Sequence, residues 1–397
     1  MTDIFATTEA EVIDAVSGAR DWKSPLNIVG ARTKRQFGRP VANWGTVLDV
    51  SGLKGIVDYK PNELIITVKP GTPVAEITAA LAEKNQRLGF DPPDLGPLFG
   101  AAANTGTIGG AISCDLSGPA AMRYGRARDH LLAIRAVNGR AEAFKAGGKV
   151  VKNVTGFDIP KLFCGAFGTL GVLTEVTLRV FPEAGEESVW EISDLTPEPG
   201  LRLLRTVWSS PLEPTGLVYI PGETRRASAA FGNPGHGVSI VRFKGASLPL
   251  EEKRNAFTGL LEAAHIHMAM EIPNTEEEFE SLQTLAALNK PDIDVWRIIV
   301  PPASAAALML ELKPPLWTAD WAGGLLWLGM KDSTAAVHDI AARYEAHATL
   351  VRAGEATRNA VAPFPPLTPE RLALTKSVKA AFDPLGLFNP GRMYPDV

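Results

Sequence analysis

The sequence predicts an α+β protein of two domains. Short runs rich in valine, isoleucine and leucine, broken by glycine, occupy the N-terminal region and look like strands. At Glu183-Ala184-Gly185-Glu186-Glu187 the texture changes to a polar, strand-free joint, after which strands and amphipathic helices alternate to about Arg352. At 397 residues the chain exceeds one ordinary core and fits two domains of about 100–200 residues each.

The first strands are expected at Leu26 to Gly30, Thr46 to Val50, Gly55 to Tyr59 and Leu64 to Lys69, before any long helix. The first helix is expected over Pro73 to Asn85, where Pro73 suits a first turn and Val74, Ile77, Ala80 and Leu81 make one apolar face. From Asp91 to Gly125 the chain is rich in glycine, proline, alanine and serine and carries little charge. A connection of that length in a compact domain points to function. Strands resume at Leu131 to Val137 and Val172 to Phe181, the first followed by an Asn138-Gly139 turn. In the second domain the periodicity predicts helices over Pro197–Ser209, Leu250–His265, Thr275–Leu288, Ala303–Leu312 and Ser333–Ala346. Strands are expected there over Gly216–Ile220, Val238–Phe243, Val295–Val300 and Leu325–Met330. A proline-rich linker, Pro363 to Pro369, leads into a last helix over Glu370–Phe382.

Composition narrows the function classes. The balance of 40 basic and 44 acidic residues, net charge -4, supplies neither the positive footprint of a nucleic-acid binder nor a polybasic membrane patch. No apolar run approaches the ~18 residues that a membrane-spanning helix needs. The start Met1-Thr2-Asp3-Ile4-Phe5 lacks the basic-then-apolar order of a secretory signal, so a cytoplasmic protein is expected. Cys114 and Cys164 are too few for a disulfide framework and lack metal-pair spacing, which leaves them as small buried side chains.

Three segments carry chemistry. Gly30-Ala31-Arg32-Thr33-Lys34 follows the strand ending near Val29, where successive backbone N–H groups can form an anion-binding concavity and Thr33 adds a hydroxyl; a diphosphate fits there, although a plain turn has the same pattern. The second runs from Asn104 through Thr107, Gly109 and Gly110 to Ser113, and on through Ser117-Gly118-Pro119 to Arg123-Tyr124-Gly125 and Arg128. Its glycines let backbone approach a flat ring closely, as a flavin bed requires. The third comprises Lys152 to Asp158 and Phe163 to Glu175, a glycine-rich turn feeding a strand. There the amide and carbonyl of Val172 can pair with an adenine edge.

In this order and spacing the segments resemble the PCMH-type FAD-binding domain of the vanillyl-alcohol-oxidase family. Within it, Leu53 to Leu64, Val68 to Pro73, Phe90-Asp-Pro-Pro93, Ser117-Gly-Pro119, Lys152-Asn153 and the terminal Phe388-Asn-Pro-Gly-Arg-Met-Tyr-Pro395 resemble the FAD-binding subunits of glycolate oxidases. The resemblance implies a two-lobed FAD domain over residues 1–182, an α+β cap over 183–355 and a segment, 356–397, that returns to the FAD domain. By motif, Gly30, Ala31, Arg32, Thr33 and Lys34 would hold the pyrophosphate. Thr107, Gly109, Gly110, Gly118 and Gly125 would line the isoalloxazine, with Ser117, Tyr124 and Arg128 as further contacts. Val172 would meet the adenine, and Asn389 and Arg392 would return near the ring. One departure concerns Arg32, which stands where the family has glycine. Either the loop is strained there or the guanidinium pairs with the phosphates.

The resemblance further implies a small 2-hydroxy acid as substrate, and a second flavoprotein subunit and an iron–sulfur subunit as partners. The protein would then be cytoplasmic or peripheral to the inner membrane through those partners. Two other readings remain open: a stand-alone FAD-dependent alcohol or hydroxy-acid oxidoreductase, and a non-catalytic scaffolding subunit with a vestigial flavin site. Histidines are scattered, only His265 and His267 lying close, and an i,i+2 pair does not share a helix face, so no metal is expected. No histidine falls in the pyrophosphate loop, and FAD is therefore expected to be non-covalent. Arg297, Arg343, Arg352 and Arg392 are candidates for a substrate carboxylate, whereas no catalytic base can be named. A dinucleotide fold for NAD is disfavoured, because no Gly-x-Gly-x-x-Gly follows the first strand.

Overall fold

A computed structural model describes residues 3–40, 45–148, 157–227, 237–272 and 281–397. The chain divides into two units, the first made of Met1–Ser117, Gly125–Glu183 and Pro366–Val397 and the second of Gly118–Tyr124 and Ala184–Pro365. The short segment Gly118–Tyr124 therefore groups with the second unit, where the sequence had placed it inside a continuous first domain.

The first unit holds strands β1 (Ile4–Phe5), β2 (Leu26–Val29), β3 (Thr46–Asp49), β4 (Ile56–Lys60), β5 (Ile65–Val68), β6 (Gln86–Arg87), β7 (Leu131–Val137), β8 (Ala143–Gly147), β9 (Val172–Arg179) and β10 (Phe181–Pro182). Three of them form a parallel sheet in the order β1-β3-β2, five an antiparallel sheet in the order β4-β5-β9-β7-β8, and β10 pairs with β6. A long helix, α1 (Glu9–Trp22), precedes β2, contrary to the expectation that strands come first. Thr8 and Glu11 cap it reciprocally, each side chain accepting from the other's backbone N–H. Its buried face is Val12, Ala15, Val16 and Ala19, packed with Leu26, Leu48 and Phe388. Helices α2 (Val74–Ala82) and α3 (Ile108–Ser113) supply Ile77, Leu81, Ile108 and Ile112 to a second core under β5, β7 and β9. The stretch expected to be irregular thus contains α3, which Thr107 caps by accepting from the Gly110 amide.

The second unit is built on an eight-stranded sheet of β11 (Glu186–Ile192), β12 (Gly216–Ile220), β13 (Val238–Gly245), β14 (Ala269–Glu271), β15 (Asp294–Ile299), β16 (Leu316–Asp320), β17 (Leu325–Met330) and β18 (His347–Arg352). Their order is β14-β11-β13-β12-β16-β17-β15-β18. Helices Pro197–Trp208, Ser247–Ala263, Ala305–Leu312 and Ala336–Arg343 contribute Leu204, Phe257, Leu308 and Ala341 to one core with Trp296, Trp317 and Leu326 of the sheet. Glu186 and Glu187 belong to β11 and not to a strand-free joint, because their partners across the ladder are Gly245 and Lys244, and the Lys244 ammonium lies 3.8 Å from the Glu187 carboxylate. Strands β14, β16 and β18 were not anticipated. Of the helix expected at Thr275–Leu288, residues 273–280 lie outside the described residues, 281–284 are helical, and Ala286–Leu288 is a 3-10 turn. Lys152 and Asn153 also lie outside them. Among the described residues, no helix is long and apolar enough to cross a membrane.

Candidate cofactor site

The parallel sheet ends where the chemistry begins. Beyond Val29 the chain turns through Gly30 to Lys34 along one wall of a cleft in the first unit that holds about 820 Å³ of empty space, counting its open mouth. Thr107, Gly109, Gly110, Ser113 and Cys114 of the α3 segment form another wall, and Phe167, Gly168, Gly171 and Leu173 a third. Asn389 and Arg392 complete the lining from the far end of the chain. Loop and helix meet closely: a Cβ on Gly30 would lie 2.9 Å from Thr107 Oγ1, and one on Gly109 would lie 2.7 Å from Pro70 Cβ. Side chains at either position would push the walls apart.

Arg32 adopts φ 58°, the left-handed conformation that glycine takes without cost, so the departure from the family's glycine does carry strain. Its guanidinium meets Asp3 at 3.0 Å and Asp49 at 3.1 Å. Lys34 goes the other way. Its ammonium is desolvated within the cleft wall, 3.4 Å from Thr33 Oγ1, and burial lowers its pKa from the usual value, against smaller opposing effects of Cys114 and Asp94.

The tail reaches the cleft as a clamp on the loop. Asn389 accepts from the Ile28 amide at 2.8 Å through Oδ1 and donates to the Phe167 carbonyl at 2.8 Å through Nδ2. Arg392 Nη2 donates to the carbonyls of Lys34, Arg35 and Phe37 at 3.1, 3.3 and 2.8 Å. Behind them Lys379, on the helix Pro369–Phe382, donates to Asp383 at 2.8 Å and to the carbonyls of Thr169 and Phe388, a buried knot that fastens tail to cleft wall.

The other expected contacts lie outside this cleft. Ser117 accepts from the Ala127 amide at 2.9 Å, and Gly125 accepts from His130 Nε2 at 3.1 Å and takes φ +96°. Arg128 is exposed. Gly118 and Tyr124 group with the second unit, where the Gly118 carbonyl accepts from Trp321 Nε1 at 2.9 Å. The Val172 side chain is buried in the core with α1, while its neighbours Gly171 and Leu173 face the cleft. Phe167, Gly168 and Leu173 were legible as part of the third segment, and Pro70 lay within the family-like stretch Val68 to Pro73, with no site role assigned to it. Both cysteines are half-buried, not buried, and Cys114 lines the cleft. Burial pushes both thiols up, Cys164 to about 12, so neither is a ready nucleophile.

Of the arginines considered for a substrate carboxylate, Arg343 is paired with Glu311, and Arg352 donates to Asn289 and to the carbonyls of Leu288, Lys290 and Ile293. Arg297 lies on β15, opposite Trp327 of β17 and Thr349 of β18. Trp317 is core, while Trp321 is half-buried with φ 53°.

Comparison with known proteins follows the same lines. Residues 3–147 match the FAD binding domain family. The chain is 31% identical over 386 residues to the glycolate oxidase subunit GlcE of Escherichia coli (strain K12), covering 97% of each chain. It is 26% identical over 318 residues to a D-lactate dehydrogenase of Archaeoglobus fulgidus, covering 73% of this chain and 70% of that one. Among solved structures, p-cresol methylhydroxylase with substrate bound shares the fold at TM-score 0.77 and 14% identity, with 99% of this chain and 88% of that one covered. An alkyldihydroxyacetonephosphate synthase does so at TM-score 0.70 and 18% identity, over 97% and 75%. With an α+β, PCMH-type fold and a relative of that identity matched end to end, the chain belongs to the family of FAD-binding glycolate oxidase subunits, which are FAD-dependent oxidoreductases.

Proposed function

We propose that the chain is the FAD-carrying subunit of an assembly that oxidises glycolate, or another small 2-hydroxy acid, to the 2-oxo acid, and that a second flavoprotein subunit and an iron–sulfur subunit are its partners. The likeness to a glycolate oxidase subunit over 97% of both chains supports this reading. The residues of the cleft fit the cofactor. Ile28, Val50, Phe167 and Leu173 offer apolar walls to flat rings, and the desolvated Lys34 ammonium calls for an anion. Backbone amides of Gly30 to Lys34 would hold the diphosphate, with Thr33 adding a hydroxyl. Thr107, Gly109 and Gly110 would carry the neighbouring part of the molecule, and Asn389 and Arg392 would hold the loop in shape. Bound FAD supplies the acceptor for the two electrons removed from the hydroxyl-bearing carbon.

Attachment is non-covalent in this reading. The loop offers no histidine, and the Cys114 thiol is held protonated by burial. Acid precipitation is expected to leave the flavin in the supernatant; a yellow pellet would show a covalent bond. The assembly is tested by purifying it natively and assaying flavin, iron and glycolate turnover in parallel with the single chain. The single FAD-loaded chain is expected to bleach slowly or not at all when mixed anaerobically with D-2-hydroxy acids. Fast, substrate-specific bleaching without a partner would make it a stand-alone dehydrogenase.

A further inference from the structure

One turn in the cleft wall breaks the rule for its own conformation. Ala166 to Thr169 form a β-turn closed by the Thr169 amide, which donates to the Ala166 carbonyl at 2.9 Å. The two central residues, Phe167 and Gly168, have φ 52° and 70°. Positive φ at both centres is the type I′ pattern, whose ordinary sequence is asparagine or aspartate followed by glycine. Gly168 obeys it. Phe167 does not, and a bulky side chain in the left-handed region persists only where its surroundings hold it.

The other walls of the cleft and the tail all meet at this residue. Its amide donates to the Ser113 carbonyl at 2.9 Å, at the end of α3, and its carbonyl accepts from Asn389 Nδ2 at 2.8 Å. Its ring stands edge-on to that of Phe37, with centroids 4.9 Å apart and planes at 89°, and both rings are buried. Phe37 in turn is fastened to the end of the Gly30 to Lys34 loop. Its amide donates to the Lys34 carbonyl at 3.0 Å and its own carbonyl accepts from Arg392 at 2.8 Å. An asparagine at position 167 would relax the turn but would set no ring against Phe37. The ring contact is therefore what the strained backbone secures.

We propose that Phe167 is the positioning residue of the cofactor site: through Phe37 its ring fixes how far the Gly30 to Lys34 loop stands from the glycine turn and Leu173, so that the cleft is shaped before its ligand arrives. The proposal rests on the FAD reading above. A cleft with ordered walls spares the ligand the cost of ordering them, so the aromatic pair acts on affinity and on how rigidly the flavin is held.

The test uses the full chain stripped of flavin and titrated with FAD, as wild type, Phe167→Tyr, Phe167→Asn, Phe37→Leu and the double variant Phe37→Leu with Phe167→Asn. Phe167→Asn is expected to weaken FAD roughly tenfold, the size of one aromatic pair together with a wall that must be reordered. Phe167→Tyr keeps the ring and should bind as wild type does. Phe37→Leu should lose as much as Phe167→Asn, and the double variant no more than either, because all three break one contact. The visible circular dichroism of the bound flavin should weaken in the same three proteins. Ile77→Val, in the core that α2 supplies, is the control for loosened packing: it should melt lower and bind FAD as before. Unchanged affinity in Phe167→Asn or in Phe37→Leu overturns the proposal. So do additive losses in the double variant, a Phe167→Tyr protein as weak as Phe167→Asn, and an Ile77→Val protein that loses as much affinity. Should Phe167→Asn not fold, the affinity and dichroism of Phe37→Leu decide the matter. A wild-type chain that takes up no FAD sinks the cofactor reading itself, before any variant is compared.

Discussion

Arg32 and Lys34 stand two residues apart in one loop and behave oppositely, and the difference is one of backbone direction. At φ 58° the Arg32 side chain is turned toward Asp3 and Asp49, while Lys34 is turned into the cleft. Left-handed backbone at a non-glycine residue costs about 1 kcal/mol, and half-exposed ion pairs return about 0–1 kcal/mol, so the two nearly cancel. Arg32→Gly is therefore expected to change unfolding free energy by less than about 1 kcal/mol, whereas Arg32→Ala keeps the strain, loses the pairs and falls below both. FAD affinity should be the same in all three proteins. Denaturant titration and flavin fluorescence check this, and a tenfold affinity loss in the glycine variant would return the guanidinium to the phosphates. The sequence showed that a special residue occupied this position but not which way it pointed, since direction depends on a backbone angle that residue type alone does not dictate.

At the scale of elements, what was legible followed from contrast between neighbours. Strands such as Gly216–Ile220 and Leu325–Met330 are apolar and bounded by glycine or charge, and they lie where the pattern put them. Helix α1 escaped because its buried face is built of two valines and two alanines, too small to stand out from its surroundings, although Thr8 and Glu11 did mark its start. Thr8→Ala should cost about 1 kcal/mol of stability, measured by denaturation, if that cap anchors the helix. A second element-level prediction concerns His130, which closes the short turn before β7 between the rings of Phe90 and Phe181, at 5.4 and 5.3 Å. Burial holds its pKa below the usual 6.5, against the raising effect of the Gly125 carbonyl. A base with a depressed folded-state pKa leaves the unfolded chain binding more protons, so its contribution is complete above about pH 6.5 and declines as pH falls from there to the folded pKa. His130→Gln should flatten that acid-side decline in a melting-temperature profile. An unchanged slope would assign the decline to other groups.

For the whole molecule, the decisive feature is that the first unit is made of three separate pieces of chain, the last of which, Pro366–Val397, clamps the loop made by the first. Neither the bond from Lys379 to the Thr169 carbonyl nor the grip of Arg392 on the Lys34 carbonyl could be read from sequence spacing, because they join the tail to segments 210 and 358 residues earlier. Arg392→Ala leaves three loop carbonyls without their shared donor, a loss of about 2–3 kcal/mol, and should release FAD on gel filtration while the second unit keeps its fold. Retention of FAD by that variant would show that the loop holds its shape without the clamp. The same arrangement has a consequence for biosynthesis. Lys34 and Arg392 are 358 residues apart, so at ~5–20 residues per second a nascent chain carries an unclamped loop for roughly 20–70 seconds before its fastener is made. During that interval the second unit, which is nearly continuous in sequence, can fold behind it. Ribosome-bound chains halted before Pro366 should then protect the second unit from protease and bind no flavin, which makes cofactor capture an event that follows translation.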